Sequence, residues 1–279
     1  MLGILLTLSI ISIVLIFLYI SLVNAERASE GKDLQITTKN IMEQVENLYN
    51  KQEYGILEIL AKKYLERVPK HTGVRCYLAK TYYATNKTVA AIKECLKVLK
   101  LNRENDEIRL ILANCYTKKN LSMEALKQYE ILFKRGNKSV EVIKNMAELF
   151  NTVNQYTASI KLYNMLIPMT KNDSEIAEYK YILSQLNEKI GDYAAAFDAY
   201  KARIELMPTD IESRKKMTLL FLKISNHPMV ISSLEELIVY PLPNEMQLWA
   251  YKLLVQMCRL TGAHTKALQY SQSLIDTPN

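Results

Sequence analysis

A set of side chains returns every 34 residues in the middle of this chain: Leu78, Leu112 and Met146, each followed by a small neighbour (Ala79, Ala113, Ala147) and then by Tyr82, Tyr116 and Phe150. Asn86, Asn120 and Asn154 keep the same pitch, as do Ala91, Ala125 and Ser159, and then Cys95, Tyr129 and Tyr163. Columns held in one register through three units identify an internal repeat, which means one supersecondary unit stacked on copies of itself. Within a unit, Cys76, Leu78, Ala79, Tyr82 and Tyr83 follow helical spacing, and Ala90, Ala91, Leu96, Val98 and Leu99 do so again beyond Asn86. Each unit therefore reads as two amphipathic helices. The turn between them falls on Asn86, Asn120, Asn154, Gly191 and Gly262, residue types that tolerate the left-handed conformation ending a helix. Small residues such as Ala79 and Ala91 let the helices approach closely while the aromatics fill the space between units. One such pair cannot bury its apolar face alone, so stability requires several in a stack.

The register extends outward to unit starts near Thr38, Thr72, Asp106, Val140, Ala177, Ile211 and Leu248, with three-residue insertions near Asn172-Asp173 and Pro241-Pro243. Its weakest members are the first unit, where Leu57 stands in the small-residue column, and the sixth, where His227-Pro228 opens the second helix. Proline is acceptable there only in the first turn. Leu183, Gly191, Tyr193, Ala196, Tyr200 and Pro208 form the clearest single unit. Their order of large, turn, aromatic, small and closing proline residues resembles the tetratricopeptide repeat (TPR). The resemblance covers residues 38–279 and implies an all-α, right-handed superhelical solenoid of six or seven antiparallel helix pairs.

Ahead of the repeats, Leu2 to Val23 are 22 consecutive uncharged, mainly apolar positions, long enough as a helix to reach about 33 Å and span a bilayer core. Val23-Asn24-Ala25 offers the small residues of a cleavable signal peptide. No Lys or Arg precedes the run, however, and it exceeds the roughly 7 to 15 residues of a usual signal core. The reading is one transmembrane helix at 2–23, a short linker at 24–37 and the solenoid at 38–279. Arg27, Lys32 and Lys39 follow the span and bias the repeat domain toward the cytoplasm. Cys76, Cys95, Cys115 and Cys258 show no paired framework, as expected of reduced thiols filling helix faces. A single-pass protein of a bacterial-type inner membrane is expected, with an exported periplasmic chain acting in secretion or outer-membrane assembly as the alternative.

No phosphate loop, nucleophile elbow or zinc-binding helix appears, and the three histidines, His71, His227 and His264, fall at unit boundaries or turns. His71 reads as a solvated loop residue. Neither an enzyme, a cofactor, a metal site nor a small-molecule substrate is expected. The net charge is +7, yet Lys mixes with Glu along the helices and no basic stripe interleaved with aromatics stands out, which argues against nucleic acid.

The TPR resemblance implies a binding groove lined by the first helix of each unit. Transferred to this register, its candidates are Lys80 and Tyr83 in the second unit, Asn114 in the third, Lys144 in the fourth, Tyr181 and Gln185 in the fifth, Lys215 in the sixth, and Trp249, Lys252 and Arg259 in the seventh. The family's two-carboxylate clamp for chaperone tails pairs Lys with Asn one turn apart. Here Glu148 follows Lys144 and Leu219 follows Lys215, so that ligand is not expected. The expectation is a membrane-anchored scaffold or adaptor, in an envelope-assembly or regulatory complex, that binds a protein or peptide in its groove. Self-association into a homo-oligomer through solenoid ends or anchors stays open.

Overall fold

The computed structural model describes residues 32–276, with side chains from 39 to 275. The expected span Leu2–Val23 lies outside the described residues; among those described, no helix is long and apolar enough to cross a membrane. The described chain holds fourteen α-helices and no strand. They form seven pairs: α1 (Lys32–Asn50) with α2 (Tyr54–Arg67), α3 (Thr72–Ala84) with α4 (Thr88–Leu101), α5 (Asp106–Lys118) with α6 (Ser122–Lys134), α7 (Val140–Thr152) with α8 (Tyr156–Leu166), α9 (Asp173–Ile190) with α10 (Tyr193–Leu206), α11 (Ile211–Lys223) with α12 (His227–Leu237), and α13 (Asn244–Leu260) with α14 (His264–Asp276). They group into two compact units, one ending at Asn137 and the other beginning at Lys138.

The repeat columns decide where each side chain goes. In the small-residue column, Ala91, Ala125, Ser159 and Ala196 are fully buried, and Leu57 and Val230 fill the same place in their own pairs. The aromatic column supplies the largest enclosed side chains, Tyr129, Tyr163 and Tyr200, with Cys95 and Leu234 in the equivalent positions. Each such burial contributes about 1.5–3 kcal/mol, which is why a tight, repeated register is selected over a loose bundle. First helices end as their turn residues require. Asn86, Asn120 and Asn154 have φ of 56°, 57° and 61°, and Gly191 and Gly262 have 79° and 75°. The other two pairs use Gln52 and Ser225, at 60° and 57°, for the same left-handed step. Pro228 sits in the first turn of α12, where it disrupts no helical hydrogen bond.

Helices α9 and α13 start at Asp173 and Asn244, ahead of the expected Ala177 and Leu248, and α1 starts at Lys32. The insertions are absorbed as helix: α9 has 18 residues and α13 has 17, against 13 in α3, α5, α7 and α11. Roughly one added turn before the register begins leaves the downstream columns in phase. Pro168 closes α8 through a 3₁₀ turn, Ile167–Met169, before the first insertion.

Two further columns emerge from the packing. His71, Asn105, Ser139 and Asp210 are N-caps, accepting the backbone N–H of Val74, Ile108, Val142 and Ser213 at 3.1, 3.0, 3.4 and 3.2 Å. This corrects the reading of His71 as a solvated loop residue. Its Nδ1 is a helix cap, and the ring packs edge-on against Tyr64 at 5.4 Å. Arg75, Arg109 and Arg214 form the second column, each turning its guanidinium back to the carbonyl six residues earlier, on Pro69, Arg103 and Pro208. Each of these arginines satisfies a carbonyl left open where a second helix ends.

Candidate functional site

In the first unit, the first-helix face is largely satisfied from within. Lys80 forms an ion pair with Glu107 of the next pair at 2.6 Å and lies 5.2 Å from the Tyr77 ring. The Lys118 ammonium covers the Tyr83 ring at 4.6 Å and donates to the Asn86 side chain at 3.0 Å. Asn114 accepts a hydrogen bond from the hydroxyl of buried Tyr129, so its amide is committed to holding the second helix. Half-buried Cys76 receives the Asn105 amide at 3.4 Å, and burial pushes its thiol pKa up. The other three cysteines are buried, and all four are free thiols.

In the second unit, Tyr181 is also engaged. Arg203 stacks over its ring at 4.5 Å, Tyr200 meets it edge-on at 6.2 Å, and Arg203 is held in turn by Asp210. Lys144 and Gln185 are half-buried on α7 and α9. Lys215 on α11 reaches 5.5 Å over the half-buried Trp249 of α13, and Trp249 packs onto the core formed by α10–α13.

The terminal pair is different. Lys252, Gln256 and Arg259 lie at helical spacing on one exposed face of α13. Together with Val255, Leu260 and, from α14, Ser271 and Leu274, they line a cleft of about 430 Å³. Neither Lys252 nor Arg259 has an ion-pair partner among the described residues. Two solvated cations beside apolar walls can hold a carboxylate while an adjacent apolar side chain is desolvated. Ser271 and Leu274 were not identifiable from the register, because transferring groove positions from first helices ignores what the second helix of a terminal pair contributes.

The sequence reading also missed a recurrent lysine. Lys118 and Lys223 end α5 and α11, and Lys189 stands in the last turn of α9. Each reaches back to the preceding pair, Lys189 lying 4.8 Å from the Tyr156 ring and Lys223 4.9 Å from Tyr193. Their matching places at helix C-termini carried the signal, and favourable interaction with the helix dipole is its physical basis. Among the described residues, no group of three His, Cys, Asp or Glu side chains could hold a metal ion.

No protein-family profile and no curated protein sequence matches the chain. Solved structures do. The Naa15/Naa10 complex bound to HypK-THB aligns with a TM-score of 0.64 at 16% identity, over 86% of this chain and 36% of that one. The C-terminal part of a TPR repeat-containing protein from Cytophaga hutchinsonii aligns at 0.56 with 14% identity, over 85% and 95%. YrrB, a TPR protein with an unusual peptide-binding site, aligns at 0.52 with 14% identity, over 76% and 97%. At these identities the likeness is one of fold: a stack of antiparallel helix pairs like that of TPR proteins.

Proposed function

We propose that this chain is a membrane-tethered, non-catalytic scaffold that captures a protein or peptide partner on its first-helix face, with the cleft between α13 and α14 as the anchoring point. The observation that carries the reading is the exposed pair Lys252 and Arg259 beside Val255, Leu260 and Leu274. It suits a peptide that places a carboxylate next to an apolar side chain. Trp249 and Arg259 belong to the residue types that most often dominate interfaces. YrrB carries a peptide-binding site on the same fold and the Naa15/Naa10 structure contains bound HypK-THB, which supports a partner-binding role. In this proposal Leu2–Val23 is the tether, and Arg27, Lys32 and Lys39 direct the repeats to the cytoplasmic face of a bacterial-type inner membrane, within an envelope-assembly or regulatory complex.

The test is crosslinking and affinity capture with the anchored chain and with Lys252→Glu/Arg259→Glu. A partner recovered about tenfold less with the variant, whose helical circular dichroism is intact, supports the cleft. Recovery unaffected by the double reversal refutes it. Fusing a reporter active only after export to the C-terminus reads the topology independently. Activity there would replace the cytoplasmic arrangement with the periplasmic one that Val23-Asn24-Ala25 would permit.

A further inference from the structure

The net charge is unevenly placed. Residues 32–137 hold 20 Lys and Arg against 12 Asp and Glu, whereas residues 138–279 hold 15 of each. The excess thus lies in the first unit, the one joined to the apolar segment Leu2–Val23. Part of it lies where second helices end and the chain crosses to the next pair. Arg67 lies in the last turn of α2 and Lys70 just beyond it, Lys100 and Arg103 stand likewise at the end of α4, Lys134 and Arg135 at the end of α6, and all six are exposed. Side-chain contacts make these crossings one continuous edge. Arg135 pairs with Asp106 at 2.9 Å, linking the third crossing to the second, and Asn105 reaches Cys76 at the start of α3 at 3.4 Å. The acidic groups there are Glu66, Glu104, Asp106 and Glu107, the last of them paired with Lys80 at 2.6 Å. The opposite edge, where first helices turn into second ones, holds Lys51, Lys87, Lys118 and Lys119 against Glu53, but there Lys87 is taken by Glu58 at 2.6 Å and Lys118 by the Asn86 side chain at 3.0 Å.

We infer that this cationic edge of the first unit rests on an anionic phospholipid surface, an inference that builds on the membrane-tether reading above. First helices begin on the edge where second helices end, so α1 enters the unit from that side, its 19 residues starting at Lys32, ahead of the register start Thr38. The eight residues 24–31 between the apolar run and α1 can extend at most about 29 Å. An anchored chain therefore holds this edge near the bilayer. Cations next to a negatively charged leaflet each strengthen the contact, with a reach of about a Debye length. At the centre of the edge Leu101 is 45% exposed, flanked in sequence by Lys100 and Arg103 and in the repeat register by Arg67 and Arg135. An apolar side chain among cations suits shallow insertion between headgroups. Among the described residues of this edge no aromatic ring is exposed for base stacking, which favours lipid over nucleic acid.

The test uses the full chain with vesicles of phosphatidylcholine alone and of equal parts phosphatidylcholine and phosphatidylglycerol, with lysine acylation followed by mass spectrometry. Lys70, Lys100 and Lys134 are expected to react at least about fivefold more slowly in the anionic vesicles. Lys119 and Lys201 should react equally in both, and high salt should remove the difference. Lys100→Glu/Lys134→Glu should abolish the protection of Lys70. Equal rates in the two vesicles, or protection that appears with added RNA and not with anionic lipid, overturn the inference. Failure of the tether reads separately, as a chain that does not float with phosphatidylcholine vesicles. In that case, salt-sensitive flotation with anionic vesicles that the double reversal abolishes still supports the edge, and its absence refutes it.

Discussion

Arg75 and Glu94, each 7% exposed, form a buried ion pair between α3 and α4, with the guanidinium also on the Pro69 carbonyl and the carboxylate also on Lys97 at 2.7 Å. The repeat places other solutions at the same two positions. Arg109 donates to Gln128 at 2.9 Å in the next pair, and Ile143 and Leu162 occupy the equivalent places in the one after. A buried pair is costly to break and often nearly neutral to replace by apolar residues of similar volume. Arg75→Ile strands a buried carboxylate with Lys97 alone and should cost about 3 kcal/mol, and Glu94→Leu, which leaves the guanidinium on Pro69, about 2 kcal/mol. The double variant copies Ile143 and Leu162 and should lie within about 1 kcal/mol of the parent, so the two changes couple by roughly 4 kcal/mol. Glu94→Gln copies Gln128 and should cost about 1 kcal/mol, the difference between a charged and a neutral hydrogen bond. Urea unfolding of the full chain in detergent, followed by helical circular dichroism, reads these values. With a slope of about 2 kcal/mol per molar urea, Arg75→Ile moves its transition down by about 1.5 M. A double variant no more stable than the weaker single variant would refute the reasoning.

Ser225→Gly should raise stability by about 1 kcal/mol, because Ser225 pays for a left-handed φ of 57° that glycine adopts freely; thermal unfolding against Gly191→Ala, expected to move the other way, checks it. Burial lowers the His71 pKa, so the cap is neutral in the fold while the unfolded chain takes up a proton. Its contribution is complete above about pH 6.5 and lost as the pH falls below that. His71→Asn, the cap type found at Asn105, should flatten this slope in urea midpoints taken between about pH 7.5 and pH 5.5. Burial alone would raise the Asp210 pKa, but hydrogen bonds from Arg203 and Ser213 outweigh it and hold the carboxyl below its usual range. That stabilisation is present above about pH 4 and disappears as the pH falls through the lowered value, so acid unfolding of Asp210→Asn should show a shallower pH dependence.

Much of the architecture was legible because it is local. A 34-residue period, helical spacing on either side of Asn86, and turn residues that accept positive φ are properties of short segments, and stacking follows from their unburied apolar faces. Even the insertions were visible at Asn172-Asp173 and Pro241-Pro243, although their absorption into longer first helices depended on what precedes α9 and α13. The caps and arginines at His71, Asn105, Arg75 and Arg109 also lay in register, but His71 read as solvated and the others carried no signal, since a polar residue at a unit boundary looks the same whether solvated or bonded.

The state of each groove side chain was decided by tertiary structure. Lys80 and Lys252 are both lysines of the first-helix face, yet Lys80 meets Glu107 from a neighbouring pair and Lys252 lines an open cleft with α14. Tyr83 and Tyr181 had the composition of interface anchors, and neighbouring pairs supplied Lys118 and Arg203 to cover them. Spacing along the chain encodes the helices, their turns and the columns they bury, so these were legible without a structure. Which charges remain available to a partner or a lipid surface depends on distances across the stack, and only the packed structure sets those distances.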